Sequence, residues 1–131
     1  MFFGIYFFIY VPLFFDQCYT FFMSFLVVDG FSLAFRAFYA YPLSLTTQDG
    51  QVINAVYGLI TLLFQAIDQF SPSHIVVCFD HPSPTFRHQD YALYKANRSS
   101  PPDEFKSQIP LFKKAIEECG VRVVNKEGYE A

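Results

Sequence analysis

Two aspartates each follow a run of apolar residues, and their type and position suit them to chemistry. Asp29 follows the strand-like run 25–28, and Asp80 ends the run 74–80. Apolar, β-branched runs of this length are typical of buried strands in a parallel sheet, whose carboxyl ends meet at one edge. On neighbouring strands the two carboxylates would lie close together, where a bridging divalent cation or a shared proton relieves their repulsion. The sequence therefore predicts a metal site at the edge of a sheet.

Length, charge and cysteine content limit the classes to which the protein can belong. The 131 residues suffice for one domain, and the formal net charge of -3 argues against a generally basic nucleic-acid binder. A local basic patch is still compatible with that charge. The three cysteines are odd in number and far apart, so the sequence indicates neither a disulfide framework nor a zinc motif. We therefore expect a cytoplasmic protein.

Helices must connect the strands and hold their ends in place. Over residues 54–70 apolar side chains recur at helical spacing, which predicts a helix packed on the core. Pro102 followed by two acids predicts a helix start, Pro110 a kink or a new start, and Gly120 a helix end before a third strand, 121–124. The spacing of the first two strands suits a right-handed crossover, so the predicted fold is α/β, with a parallel sheet flanked by helices.

A helix is also predicted directly after Asp29. Ser32 can cap it, and Pro42 follows its end. Arg36 is the one cation of this helix. It is either a solvated helix residue or a contact to a phosphate, since it lies about two turns from the strand end.

Residues 81–102 mix cations with aromatic rings directly after the second predicted strand. Basic side chains neutralise phosphates, and aromatic faces stack on unpaired bases. A surface helix with ordinary charges would have a similar composition, but the position beside two aspartates favours recognition of a single-stranded or frayed nucleic-acid end. The residues concerned are Arg87, Lys95 and Arg98, with Phe86, Tyr91 and Tyr94.

The first 22 residues form a Phe-rich leader in which Asp16 is the single charged side chain. The uncharged run 1–15 is shorter than the ~20 residues that span a bilayer, and it lacks the basic start and cleavage site of a secretory signal. Met23 directly precedes the first predicted strand, so we expect the domain to cover residues 23–131, with residues 1–22 outside the fold. A membrane anchor is the alternative, and the native protein would then pellet with membranes.

A series of motifs carries a resemblance to a known family. In order, the chain contains VDG-x-S-x-AFRAFYA, VVCFD, TFRHQDYALYKANR, PPDEF and GYEA. This order, from about residue 25 to residue 131, resembles the amino-terminal part of the 5′ to 3′ exonuclease domain of bacterial DNA polymerase I, within the flap-endonuclease group of PIN-like nucleases. The resemblance implies a Rossmann-like, PIN-like (resolvase-like) parallel sheet flanked by helices. It also implies metal-dependent hydrolysis of DNA phosphodiesters near 5′ ends in replication and repair.

The resemblance also implies roles for individual residues. Asp29 and Asp80 match the family's first two metal-binding aspartates, and Glu130 matches the glutamate that opens its Glu-x-Asp-Asp cluster. Basic residues at family positions are expected to assist catalysis, namely Lys95, Arg98 and Arg36. Residues expected to bind DNA are Phe86, Arg87, Tyr94, Lys95 and Arg98, in a segment that forms a helical gateway in the family.

Metal chemistry agrees with these assignments. Phosphodiester hydrolysis needs an activated water and charge neutralisation at the leaving oxygen, which two Mg²⁺ ions about 3.5 to 4 Å apart supply. Carboxylate oxygens suit Mg²⁺ or Mn²⁺, and no set of histidines and cysteines favours zinc. Lys95 and Arg98 would then steady the scissile phosphate and its developing charge.

The family pattern continues beyond Glu-Ala, with two further aspartates and a second DNA-binding surface. We therefore expect an incomplete sheet and a fragment of low or no activity. Its expected partner is DNA with a 5′ flap, a nick or a single-stranded 5′ end, bound by a monomer without stable membrane association.

Three alternatives to this function stay open. The first is a non-catalytic module that binds DNA ends, and the second is a PIN-like nuclease acting on RNA. The third is a phosphatase of the haloacid dehalogenase type, which is less well supported because that mechanism needs a second aspartate two residues after the first. Here Phe31 occupies that position.

Overall fold

The strands and helices are taken from a computed structural model that describes residues 6–13, 21–81, 100–127 and 129. Of residues 6–13 and 21–23 it describes the backbone alone. Within these ranges the strands are β1 (Tyr6–Leu13), β2 (Phe21–Asp29), β3 (His74–Cys78) and β4 (Arg122–Val124). The helices in the same ranges are α1 (Gly30–Ala40), α2 (Asn54–Phe70), α3 (Asp103–Lys106) and α4 (Ile109–Glu118).

The described strands form one sheet in the order β1-β2-β3-β4. β2, β3 and β4 run parallel, with Asp29 opposite Cys78 and Cys78 opposite Val124. Helices connect these parallel strands, as βαβ units require. The predicted α/β fold with a parallel sheet is therefore confirmed, and the carboxyl ends of the three parallel strands lie at one edge.

Part of the Phe-rich leader lies on the sheet as β1. β1 pairs antiparallel with β2 over its whole length, from Tyr6 opposite Val28 to Leu13 opposite Phe21. An aromatic, β-branched run has a high strand propensity, and the open edge of β2 offers it backbone hydrogen bonds. The division of the chain at Met23 stays a prediction. None of the helices in the described ranges is long and apolar enough to span a bilayer.

One face of the parallel sheet is buried against the helices. Alternate residues of β2 and β3 are buried, because successive side chains of a strand point to opposite faces. We expected a run buried throughout, whereas Val27 and Val76 on the other face are half-buried. The core combines Leu26, Val28, Val77 and Phe79 of the sheet side with Leu33, Leu59, Leu63, Phe105, Phe112 and Ile116 of the helices.

The ends of α4 follow the signals read from the sequence. Pro110 lies in its first turn, where the missing backbone N–H costs no helical hydrogen bond, so the proline marks a new helix start. Gly120 adopts a φ of 78° just beyond the last turn, a left-handed conformation that glycine tolerates without strain. Both features were predicted.

A buried amide, Asn54, ties the first residue of α2 to the end of α1. Its side-chain nitrogen donates to the carbonyl oxygens of Phe38 at 2.8 Å and Tyr41 at 3.0 Å. Its side-chain oxygen accepts from the amide nitrogen of Gln108 at 2.9 Å. Asn54 is completely buried, and these bonds satisfy its amide within the core.

Gln108, also completely buried, continues this network between helices. Its side-chain oxygen accepts from the backbone N–H groups of Ala55 at 2.9 Å and Val56 at 3.3 Å, and so caps α2 from a distant part of the chain. Its amide nitrogen also donates to the carbonyl oxygen of Glu104 in α3 at 2.9 Å. The Asn54–Gln108 network thus joins α1, α2 and the α3–α4 segment.

Gly30, the first residue of α1, allows close packing against the Phe79 ring. A Cβ atom at this position would overlap the ring carbons of Phe79, which is buried and packs against the rings of Phe31 and Phe112. We expect Gly30→Ala to lower the free energy of unfolding by about 1–3 kcal/mol, the usual cost of overpacking a core. Urea denaturation of the 131-residue chain measures this change.

The double variant Gly30→Ala/Phe79→Leu tests whether the overlap with the Phe79 ring causes this loss of stability. A smaller side chain at position 79 leaves room for the added methyl group, so the two losses should be less than additive. Strictly additive losses would show that the methyl group does not meet the Phe79 ring.

Candidate active site

Asp29 is the last residue of β2 and the N-cap of α1. One carboxylate oxygen accepts from the backbone N–H of Ser32 at 3.0 Å, and the other accepts from the Ser32 hydroxyl at 2.6 Å. These bonds fix the orientation of the carboxylate. Each carboxylate oxygen has a second lone pair, so the group can still bind a cation.

Asp80 follows the end of the neighbouring parallel strand. β3 ends at Cys78, the residue opposite Asp29, so Asp80 lies two residues further along the same edge. Phe79, which lies between Cys78 and Asp80 in the chain, is buried. Its backbone N–H donates to the carbonyl oxygen of Val124 at 2.9 Å. The path of the chain into Asp80 is therefore fixed by both β4 and the core.

The pKa of the Cys78 thiol reflects its partial burial and the negative charge at this edge. Partial burial raises the pKa of its thiol, and the nearby negative charge of Asp29 raises it further. A carboxylate that disfavours an anion beside it favours a cation instead. The edge is therefore suited to a positively charged ligand.

Arg36 lies within α1, the helix that begins directly after Asp29. Arg36 lies on the exposed side of α1, seven residues after Asp29. At 1.5 Å per residue this places its backbone about 10 Å along the helix from the strand end. Its role in catalysis stays a prediction.

Seven of the residues singled out from the sequence lie outside the described ranges. They are Glu130, the expected third acid, and the residues of the basic and aromatic segment, Phe86, Arg87, Tyr91, Tyr94, Lys95 and Arg98. Among the residues that are described, no group of three or more potential ligands from histidine, cysteine, aspartate and glutamate surrounds a common point. Asp29 and Asp80 provide hard carboxylate oxygens, which fit Mg²⁺ or Mn²⁺ in chemistry. Their role as ligands stays a prediction.

A cation near this edge escaped the sequence analysis. The ammonium nitrogen of Lys113 in α4 lies 4.9 Å from the ring centre of Phe79 and 5.7 Å from that of Phe31. Phe31 follows Asp29 by two residues, and Phe79 directly precedes Asp80. Helical spacing could predict α4, but it gave no signal for which of its lysines faces the strand ends.

A second cation follows β4. The ammonium nitrogen of Lys126 lies 4.5 Å from the ring centre of Tyr129, whose side chain is 52% exposed. Because β4 is parallel to β3, the loop that carries this pair begins at the same edge of the sheet. The loop with this cation–aromatic pair therefore leaves the sheet at the edge where β2 and β3 also end.

Known proteins of similar sequence include a DNA polymerase and an exonuclease. The family model described as the 5'-3' exonuclease, N-terminal resolvase-like domain matches residues 24–131. The DNA polymerase I of Mycobacterium tuberculosis (strain ATCC 25618 / H37Rv) is 46% identical over 107 residues, covering 81% of this chain and 12% of the polymerase. The 5'-3' exonuclease of Aquifex aeolicus is 40% identical over 105 residues, covering 80% of this chain and 36% of that protein. The chain thus spans a minor part of the length of these relatives.

A solved structure shares the fold. The T5 D15 protein, co-crystallised with metal ions, matches with a TM-score of 0.51 and 22% sequence identity. The match covers 80% of this chain and 39% of the D15 chain. It agrees with the parallel sheet and helices described above.

Proposed function

Because the chain belongs to the family of 5'-3' exonuclease N-terminal resolvase-like domains, we propose that it takes part in metal-dependent hydrolysis of DNA phosphodiesters near 5′ ends. The observation that carries the proposal is the position of Asp29 at the end of β2 and of Asp80 just beyond the end of the neighbouring parallel strand β3. The relatives named DNA polymerase I and 5'-3' exonuclease support DNA as the substrate.

The proposed metal ligands are Asp29, Asp80 and Glu130. Bound Mg²⁺ or Mn²⁺ would supply an activated water and neutralise charge at the leaving oxygen. Ser32 holds the Asp29 carboxylate by two hydrogen bonds, so this ligand is oriented before an ion arrives. Phe79 holds the chain beside Asp80 through its buried ring and its bond to β4. Such preorganisation lowers the cost of assembling the site.

The proposed substrate is DNA with a 5′ flap, a nick or a single-stranded 5′ end, bound by one copy of the chain. Arg36, Lys95 and Arg98 would neutralise the phosphate that is cleaved, since cationic side chains stabilise its developing charge. Stacking and backbone contacts would come from Phe86, Arg87 and Tyr94. This assignment rests on the motif resemblance.

A cleavage assay tests the proposal. The 131-residue chain is incubated in excess over end-labelled DNA carrying a 5′ flap, over nicked duplex DNA and over single-stranded RNA. In line with the low activity expected from the sequence, we expect shortened DNA products to form slowly in Mg²⁺ or Mn²⁺. None should form in EDTA, because carboxylates alone supply neither the activated water nor the charge neutralisation. Protein excess makes slow cleavage measurable.

The other outcomes separate the alternatives. Binding of the flap DNA without cleavage in either metal would indicate that the chain binds DNA ends without catalysis, the outcome shared by a binding module and by a metal site that lacks ligands. Preferential cleavage of RNA would indicate a PIN-like ribonuclease. Cleavage that persists in EDTA would overturn the metal-dependent mechanism.

A further inference from the structure

Lys113 is a cation that packs on the two aromatic rings nearest in the chain to Asp29 and Asp80. It is half-buried on α4, and its ammonium group lies over the rings of Phe79 and Phe31 at 4.9 and 5.7 Å. Both distances are within the range in which the ring face attracts a cation. Across the described ranges, this ammonium group has neither a hydrogen bond nor a carboxylate within 4.0 Å.

The neighbouring lysine shows what an ordinary surface cation looks like on the same helix. Lys114 has a side chain that is 74% exposed and lies 3.6 Å from the carboxylate of Glu118, one turn further along. Lys113 instead has aromatic faces, which occupy none of its three N–H donors. Its charge is therefore held in place and available to an anion that approaches the edge.

The surroundings of Lys113 identify the class of anion. The chain beside its two rings leads directly to Asp29 and Asp80, the carboxylates proposed to hold metal ions. A nucleic-acid strand carries regularly spaced phosphates, so one phosphate can lie at the proposed metal site while its neighbour contacts Lys113, whereas a single carboxylate can occupy only one of these positions. A lysine ammonium is a compact point charge of the kind that contacts phosphates.

We propose that Lys113 binds a backbone phosphate of the DNA substrate next to the two aspartates. This inference rests on the proposed function and adds a contact from α4, outside the basic segment 81–102. The rings of Phe31 and Phe79 hold the ammonium group in position, so binding loses less side-chain freedom than it would with an exposed lysine.

Fluorescence anisotropy with a single-stranded DNA labelled at its 3′ end tests the contact. EDTA prevents metal-dependent cleavage during the measurement. We expect Lys113→Met to weaken binding about 3- to 10-fold and to reduce the slope of log Kd against log salt concentration by about 0.7, the value for one phosphate on a single strand.

The matched control is Lys114→Met, which removes the same charge from the adjacent position. It should change affinity less than about 2-fold, because an exposed, ion-paired lysine contributes little. Lys113→Arg should retain the salt dependence, since it keeps the cation over the two rings. Circular dichroism checks the fold of each variant, and Lys113→Gln replaces Lys113→Met if the methionine variant does not fold.

The outcomes distinguish this inference from the function on which it rests. Wild-type binding with equal slopes for Lys113→Met and Lys114→Met would overturn the Lys113 contact alone. A wild-type chain that binds no DNA at any salt concentration would overturn the proposed function as well. A reduced slope for Lys113→Met, restored in Lys113→Arg, would support the contact.

Discussion

Replacing Asp29 by asparagine is expected to reduce metal-dependent DNA cleavage by at least about 100-fold, because a lost ligand removes several kcal/mol of charge stabilisation. Asparagine caps a helix as well as aspartate does, so the start of α1 should be retained. The substitution therefore removes a charge from the strand end with little effect on the fold. Asp80→Asn is expected to have an effect of the same order.

The measurement has two readouts, since cleavage and ion binding can fail separately. The first is the single-turnover cleavage rate on flap DNA in Mg²⁺. The second is Mn²⁺ affinity, followed by the electron paramagnetic resonance signal of the free ion. We expect Asp29→Asn to weaken Mn²⁺ binding about 10-fold or more, since even residues that only support a ligand change affinity by about 10- to 100-fold.

Asp68→Asn is the matched control for this experiment. Asp68 is exposed in the last turn of α2, which leads into the start of β3, whereas Asp80 follows the end of that strand. Both changes remove one negative charge, so a general effect of net charge would appear equally in Asp68→Asn. Unchanged Mn²⁺ affinity in Asp29→Asn would contradict the proposed ligand.

The sequence predicted those parts of the fold that depend on local pattern. The apolar runs before Asp29 and Asp80 identified two parallel strands, and the position of each aspartate followed from the polarity of a strand. The helix start at Pro110 and the helix end at Gly120 were also predicted, because proline and glycine restrict the backbone locally. Each of these strand and helix ends can be predicted from a few neighbouring residues.

Features that depend on distant partners could not be predicted in this way. Gln108 reads as a polar helix residue, yet it is buried and bonds to α2, more than 50 residues away in the chain. Lys113 and Lys114 are adjacent and chemically identical, and only the packing of α4 against Phe79 distinguishes them. The pairing of β1 with β2 likewise depends on an edge that exists only in the folded sheet.

The second large effect is expected on stability, from Gln108→Ala. The substitution removes an acceptor from the N–H groups of Ala55 and Val56 and a donor from the oxygens of Asn54 and Glu104. A buried polar group left without a partner costs about 1–3 kcal/mol. Because several groups lose a partner and relaxation recovers part of the loss, we expect the free energy of unfolding to fall by about 2–4 kcal/mol.

Urea denaturation measures this change, with Gln51→Ala as the matched control. Gln51 is exposed, and its hydrogen bonds with Thr47 use the backbone N–H and carbonyl oxygen of Gln51, so truncating its side chain should cost less than about 0.5 kcal/mol. Asn54→Ala combined with Gln108→Ala should be less destabilising than the sum of the single changes, because both disrupt one network. Additive losses would show that each amide acts alone. That outcome would remove the basis for treating α1, α2 and the α3–α4 segment as one unit behind the strand ends.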